Sequence, residues 1–594
     1  MARFPDLPNV YTMEDLFQYT KSIAPHDDLY GTRVYSNGQW LPEWRWISRT
    51  KFDELRTAVG SFLVSQGIEF GQNIGILSYS RLEWVIVQYA CYGYGYVPVP
   101  IYDTFNPENI NHVINHSGLQ VVFAISTKIL DLIKCLKKDT TLKMIIVIDA
   151  EEHPFDFNQI PQDCIIKTFF KFDEVSKFPT VYPKRPPKAD SPAFIMYTSG
   201  TTGNPKGCVL TQGNFISTAA SIYTYAYVFT KDDSYLSYLP LAHVYENVEH
   251  VVGLKCLGKI GFYSGSIPRL VEEIKLFKPT IIGGVARVFD RIVQGIKQKI
   301  SEQPKLIQYI FYSAFYTKSF LNKHLRIKNM PVLDSIFNSV KEGLGGNVRL
   351  FVSGGSALSP ETQRFLRVVC CCSFIQGYGL TESCSSCMVQ SWTDVKDGNC
   401  GAFMPWAEGK LRSVDGFEAS EMKGELYIRG PSIFAGYYKD EEATKAVLDS
   451  EGFFKTGDVF HFTNEGQFIM ISRCKDFVKL SQGEYVSLQK LYDIYEKCTI
   501  IQSIYIHAGL QSRFLVAVVV PKDGIGLITE EVVLQELDRL AQQNNLFGFE
   551  KIKRVFIASQ PFSTEDGTLT PSLKMSAPGI ERKYKKEIAE MERM

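Results

Sequence analysis

Residues Tyr197-Thr198-Ser199-Gly200-Thr201-Thr202-Gly203-Asn204-Pro205-Lys206-Gly207 constrain this chain more than any other stretch. They follow Ala193-Phe194-Ile195-Met196, a short apolar run of the kind that forms a buried strand. Four aliphatic hydroxyls, three glycines and one lysine within eleven residues have polyphosphate-binding character. Glycines let backbone N–H groups approach an anion, hydroxyls donate further bonds, and the lysine adds mobile charge. A Walker A loop is excluded, because counting from Gly200 puts Pro205 where the second glycine belongs and Gly207 after the lysine.

The 594 residues are enough for several domains. With 64 basic and 64 acidic residues the charge is balanced, which argues against nucleic acid as a partner. The start, Met-Ala-Arg-Phe-Pro-Asp, lacks the basic and apolar regions of a secretory signal, and the expectation is a cytoplasmic protein. An uncharged stretch from Trp84 to Tyr102 is interrupted by Gly93, Gly95, Pro98 and Pro100, which fits a buried helix-turn-strand better than a membrane span. Thirteen irregularly spaced cysteines fit reduced thiols. Cys370-Cys371-Cys372 reads as buried in a strand, and Cys384-x-x-Cys387 lacks the second knuckle of a zinc site.

Apolar runs at 73–78, 121–125 and 144–148 alternate with helical patterns, as in parallel α/β units. A second set follows at 261–264, 280–283, 348–352 and 373–375. From about 401 the pattern becomes that of antiparallel strands, with a hairpin turn at Asn464-Glu-Gly. The last 120 or so residues combine one strong strand, 514–520, with charged helices. This predicts a large α/β body to about 400, a β-rich subdomain over 401–474 and a small α+β domain over 475–594.

Further motifs cluster at strand ends, where open α/β sheets bind ligands. They are Val352-Ser-Gly-Gly-Ser-Ala-Leu358 and Gln376-Gly377-Tyr378-Gly379-Leu380-Thr381-Glu382-Ser383. Thr456-Gly457-Asp458 and Ser472-Arg473-Cys474-Lys475-Asp476 flank the hairpin, and Leu569-Thr-Pro-Ser-Leu-Lys574 lies near the end. In this order they resemble the adenylate-forming, AMP-binding superfamily. Pro98-Val-Pro-Ile-Tyr-Asp-Thr104, Leu239-Pro-Leu-Ala-His-Val-Tyr-Glu246 and the stretch from Gly452 to Val486 are similar to its long-chain fatty acid acyl-CoA synthetases.

That resemblance, which runs from about residue 30 to 590, implies two Rossmann-like subdomains plus the β-rich one, closed by a mobile C-terminal lid. It implies a two-step ligase that uses ATP, Mg²⁺ and coenzyme A on a fatty acid. Thr198, Ser199, Gly200, Thr201, Thr202, Gly203 and Lys206 would clasp the β and γ phosphates. Gly355, Ser356, Gln376, Gly377 and Gly379 would line the nucleotide site, with Tyr378 against adenine. Thr381 would touch the α-phosphate, and Glu382 with Thr198 would hold Mg²⁺. Asp458 and Arg473 would bind the ribose, and Lys475 would be the hinge. Lys574, Glu382, Thr198 and His243 are the implied catalytic residues.

Three departures from the family pattern stand at Ser487-Leu488-Gln489, at Met575-Ser-Ala577 and at Ala286, and the first two bear on the coenzyme A surface. Two other readings are an adenylating enzyme for a shorter or aromatic acid, which would need a short closed pocket, and a silent homologue, which would lack Glu382 or Lys574. Residues 303–333 contain no acidic residue but carry Lys305, Lys318, Lys323, Arg326 and Lys328 among aromatic and aliphatic side chains. Either these side chains pack into the body and the basic groups merely face water, or a basic amphipathic helix there gives peripheral contact with an intracellular membrane.

Overall fold

A computed structural model of the chain describes residues 3–149, 152–198, 204–226, 229–327, 330–414, 416–480, 484–508, 514–522, 524, 528–570 and 575–593. The first apolar runs form a five-stranded parallel sheet in the order Val97–Ile101, Asn73–Leu77, Val121–Ala124, Met144–Val147 and Thr168–Lys171. Almost every residue of its inner strands is buried, as expected where helices cover both faces. Helix Leu82–Tyr94 ends at Gly95 and leads into Val97–Ile101, the helix-turn-strand expected from the sequence. Gly95 has φ +72°, and a Cβ there would lie 2.1 Å from the Phe70 ring, so only glycine fits.

The second set builds a nine-stranded sheet whose centre is parallel: Ser373–Leu380, Leu350–Ser353, Ile281–Gly284, Ser234–Ser237 and Lys259–Phe262. One edge carries the antiparallel hairpin Asp28–Ser36 and Gln39–Ser48, which the sequence pattern did not announce. The β-rich region forms a four-stranded antiparallel sheet of Glu408–Arg412, Lys423–Arg429, Phe454–Phe462 and Phe468–Arg473. Residues beyond it have their own buried clusters around the sheet Ile501–His507, Leu515–Pro521 and Ile552–Ile557. The architecture is α/β with several mixed sheets.

Two expectations are corrected. Cys370, Cys371 and Cys372 are not in a strand. They end helix Pro360–Val369, where Cys371 takes the left-handed conformation (φ +55°) and turns the chain into Ser373–Leu380. Cys370 is buried, while the other two are only partly so. Lys318 is not a surface cation. Within helix Lys305–Leu325 it faces inward beside Phe311 and Ala314, fully buried, with its ammonium 2.5 Å from Asp334 and 2.9 Å from the Cys371 sulfur. A buried lysine needs such a partner, because desolvation otherwise disfavours its charge. No helix among the described residues is long and apolar enough to cross a membrane.

Candidate active site

The phosphate-loop motif connects two strands of a hairpin. Pro192–Thr198 pairs antiparallel with Lys206–Thr211, so that Thr198 stands opposite Lys206 and Tyr197 opposite Gly207. Phe194 and Met196 are buried and anchor the first strand, at about 2 kcal/mol each. Ser199, Gly200, Thr201, Thr202 and Gly203, which join the strands, lie outside the described residues. The second strand also pairs with Gly436–Tyr437. That pairing sets the Lys206 ammonium 5.3 Å from the centre of the Tyr437 ring and 3.8 Å from Asp440.

Tyr437 ties this hairpin to Glu382. Its hydroxyl donates to Glu382 Oε1 at 2.7 Å, and the Phe434 N–H donates to the Glu382 carbonyl at 2.8 Å. Glu382 belongs to the turn Thr381–Ser383 at the end of strand Ser373–Leu380. Burial raises its carboxyl above the usual glutamate range, while the Tyr437 bond and the charge of Arg473 oppose the rise. Gly379 permits the turn: a Cβ there would sit 1.7 Å from the Ser385 carbonyl oxygen. Gly377 is crowded in the same way by Val389, and the amide N–H of Gln376 donates to Gln390.

Asp458 and Arg473 are direct partners across strands Phe454–Phe462 and Phe468–Arg473. Arg473 Nε lies 3.4 Å from Asp458 Oδ1, and the Tyr378 hydroxyl donates to Oδ2 at 2.6 Å. Asp458 is buried whereas the arginine is about half exposed, so the carboxylate is fixed and the guanidinium reaches outward. Tyr378 also meets Phe460 edge-on, with ring centres 4.7 Å apart. Tyr378 and Asp458, expected to serve adenine and ribose separately, are therefore joined by a hydrogen bond. Burial and the neighbouring carboxylate keep the Tyr378 phenol well above its ordinary pKa and hence protonated to donate.

The other glycine turn follows strand Leu350–Ser353. The Gly354 N–H donates to the Gly284 carbonyl, and Ser356 Oγ accepts from the Ala286 N–H at 3.2 Å, which fastens Gly355 and Ser356 to the neighbouring strand end. His243 caps helix Val244–Lys255, with Nδ1 accepting from the Tyr245 N–H at 3.2 Å. Beneath it Glu246 is fully buried and accepts from Tyr235 and Ser237, and burial pushes its carboxyl up to about 8. Lys475 lies in the turn Cys474–Asp476 that follows Arg473, but its side chain is outside the described set, as is all of Lys574. Among the described residues no group of three or more His, Cys, Asp or Glu could hold a metal. Residues 198, 206 and 382 are thus linked through Tyr437, and 378, 458 and 473 through Asp458; the two groups meet along the chain between Tyr378 and Glu382, and the Arg473 charge acts on Glu382. The link through Tyr437 was missed in the sequence, where no motif marks an aromatic residue in that position.

A family model described as AMP-binding enzyme matches residues 30–438. Long chain acyl-CoA synthetase 7, peroxisomal, of Arabidopsis thaliana is 34% identical over all of this chain and 88% of its own length. Long-chain-fatty-acid–CoA ligase 6 of Homo sapiens is 32% identical, covering 98% of this chain and 86% of the human protein. Among solved structures, the A domain of carboxylic acid reductase from Segniliparus rugosus, in complex with AMP and a co-purified carboxylic acid, aligns with a TM-score of 0.77 at 21% identity, over 98% of this chain and 94% of that one. ATP-bound MatB from Rhodopseudomonas palustris aligns at 0.70 and 20% identity, over 97% and 99%. The chain belongs to the AMP-binding enzyme family. Within that family it is a member of the long-chain acyl-CoA synthetase group.

Proposed function

We propose that this chain couples a long-chain fatty acid to coenzyme A at the expense of ATP, through an acyl-adenylate. The observation that carries the reading is the arrangement just described: Tyr437 ties Glu382 to the phosphate-loop hairpin, and Tyr378, four residues before Glu382, holds an aspartate–arginine pair, in a chain of this family. A fatty carboxylate oxygen attacks the α-phosphorus of ATP, the bond to the β-phosphate oxygen breaks, and pyrophosphate leaves. The sulfur of coenzyme A then attacks the acyl carbon, and AMP departs with the bond electrons. Thr198 to Lys206 grip the β and γ phosphates, Asp458 accepts from the ribose hydroxyls, and Arg473 donates to the same sugar. Lys574 offsets negative charge at the α-phosphate as attack proceeds. Glu382 and Thr198 offer the hard oxygen ligands that suit Mg²⁺, whose other ligands would come from phosphate and water; when bound, the ion neutralises phosphate charge. Residues 1–474 form the AMP-binding unit in this reading, and 475–594 the lid. The test is AMP release with coenzyme A across acids of increasing chain length. Turnover rising toward long chains is expected, and turnover confined to short or aromatic acids would reject the long-chain assignment.

Substrate delivery is part of the same proposal. On the outer face of helix Lys305–Leu325, Tyr309, Tyr316 and Phe320 are 73%, 68% and 61% exposed. Lys305, Lys323 and Arg326 are exposed around them, and no acidic residue occurs between 303 and 333. We assign this face to an anionic lipid surface, where each nearby basic group contributes roughly 1 kcal/mol. Lys323→Glu combined with Arg326→Glu is expected to abolish sedimentation with anionic phosphatidylglycerol vesicles at low salt, while activity on detergent-dispersed fatty acid persists. Wild-type protein that ignores such vesicles would end this assignment. Lys318 is left intact in the test, because a glutamate there would bury a second carboxylate beside Asp334.

A further inference from the structure

Helix Pro107–Ser117 holds both stems of the phosphate-loop hairpin through two histidines one turn apart. His112 Nε2 lies 3.1 Å from the carbonyl oxygen of Pro205, the residue before Lys206. A carbonyl only accepts, so this nitrogen carries the hydrogen. His116 Nδ1 lies 2.7 Å from the hydroxyl of Tyr197, the residue before Thr198. The two imidazoles stack at 5.1 Å, with 17° between their planes, and each meets the Tyr197 ring edge-on. The neighbouring strand is held at the same point: the Lys439 ammonium donates to the His116 carbonyl at 3.0 Å, and the Tyr438 N–H donates to Gly207. Burial, with His112 and Lys439 close by, lowers the His116 pKa, and only Asp440 opposes the fall. The fall favours the neutral ring, in which one nitrogen donates and the other accepts.

We propose that His112 and His116 are positioning residues that clamp the two stems of the phosphate loop in the separation ATP requires. The proposal rests on the reading of that loop as the ATP site. Ordering the groups that meet a ligand costs conformational entropy at the moment of binding. Fixing both ends beforehand leaves less to lose and favours binding. The clamp touches neither fatty acid nor coenzyme A in this scheme, so its loss is selective.

The test uses the full-length protein with His112→Ala, His116→Ala and the double variant, each titrated with MgATP and assayed for all three substrates. Each single alanine variant is expected to raise the Kd and KM for ATP by roughly tenfold. The KM values for fatty acid and coenzyme A, and the melting temperature, should stay unchanged. His112→Gln and His116→Asn place an amide near the lost ring nitrogen and should recover most of the ATP affinity. Unaltered ATP affinity in the double variant would overturn the clamp. So would a parallel weakening of all three substrates with a fall in melting temperature. Wild-type protein that binds no ATP would instead remove the functional reading, and the clamp with it.

Discussion

Lys574→Ala is expected to slow acyl-adenylate formation by on the order of 10²-fold or more, the cost of removing one charge aimed at a transition state. The lysine follows Thr570-Pro-Ser-Leu, and the proposed function gives it the part of the adenylation lysine. In the proposed mechanism its charge matters only while negative charge shifts on the α-phosphate. Thioester formation from supplied acyl-adenylate should therefore proceed at close to the wild-type rate. Pre-steady-state measurement of the two half-reactions separates these outcomes. Equal losses in both would show that Lys574 serves the fold or the lid rather than the first step.

The second large effect is expected from Lys475→Pro. This residue sits in the turn Cys474–Asp476, between the last strand of the four-stranded sheet and the hairpin Phe477–Lys479 and Tyr485–Ser487. Proline fixes φ near −65° and restricts the residue before it. A hinge that must adopt two backbone conformations loses one of them. ATP–pyrophosphate exchange should survive while the rate of acyl-CoA formation collapses. Loss of both activities together would point to misfolding or to a hinge elsewhere.

The buried strands were legible because each is a short apolar run bounded by turn residues, as with Met144–Val147 and Leu350–Ser353. The hairpin Asp28–Ser36 and Gln39–Ser48 was not, since its second strand has no fully buried position and reads Gln-Trp-Leu-Pro-Glu-Trp-Arg-Trp without a clean apolar run. Motif residues at the site could be named from sequence because their types and order are local. Their couplings could not. Tyr378 reaches Asp458 across 80 positions and Tyr437 reaches Glu382 across 55, distances along the chain that carry no pattern. Lys318 misled for the same reason: its partner Asp334 lies just past the segment whose lack of acidic residues made it look like a surface. The triple cysteine misled because a thiol in a strand and a thiol at a helix end have the same composition, and the positive φ of Cys371 that turns the chain cannot be read from it.

The acyl-adenylate is the centre of this account, and oxygen tracing tests it most directly. A long-chain fatty acid labelled with ¹⁸O in both carboxyl oxygens is turned over with ATP and coenzyme A, and the products are weighed by mass spectrometry. If the carboxylate attacks the α-phosphorus and the thiol later breaks the acyl–oxygen bond, each AMP acquires one ¹⁸O and pyrophosphate acquires none. Label in inorganic phosphate or pyrophosphate, or AMP without label, would contradict the proposed chemistry.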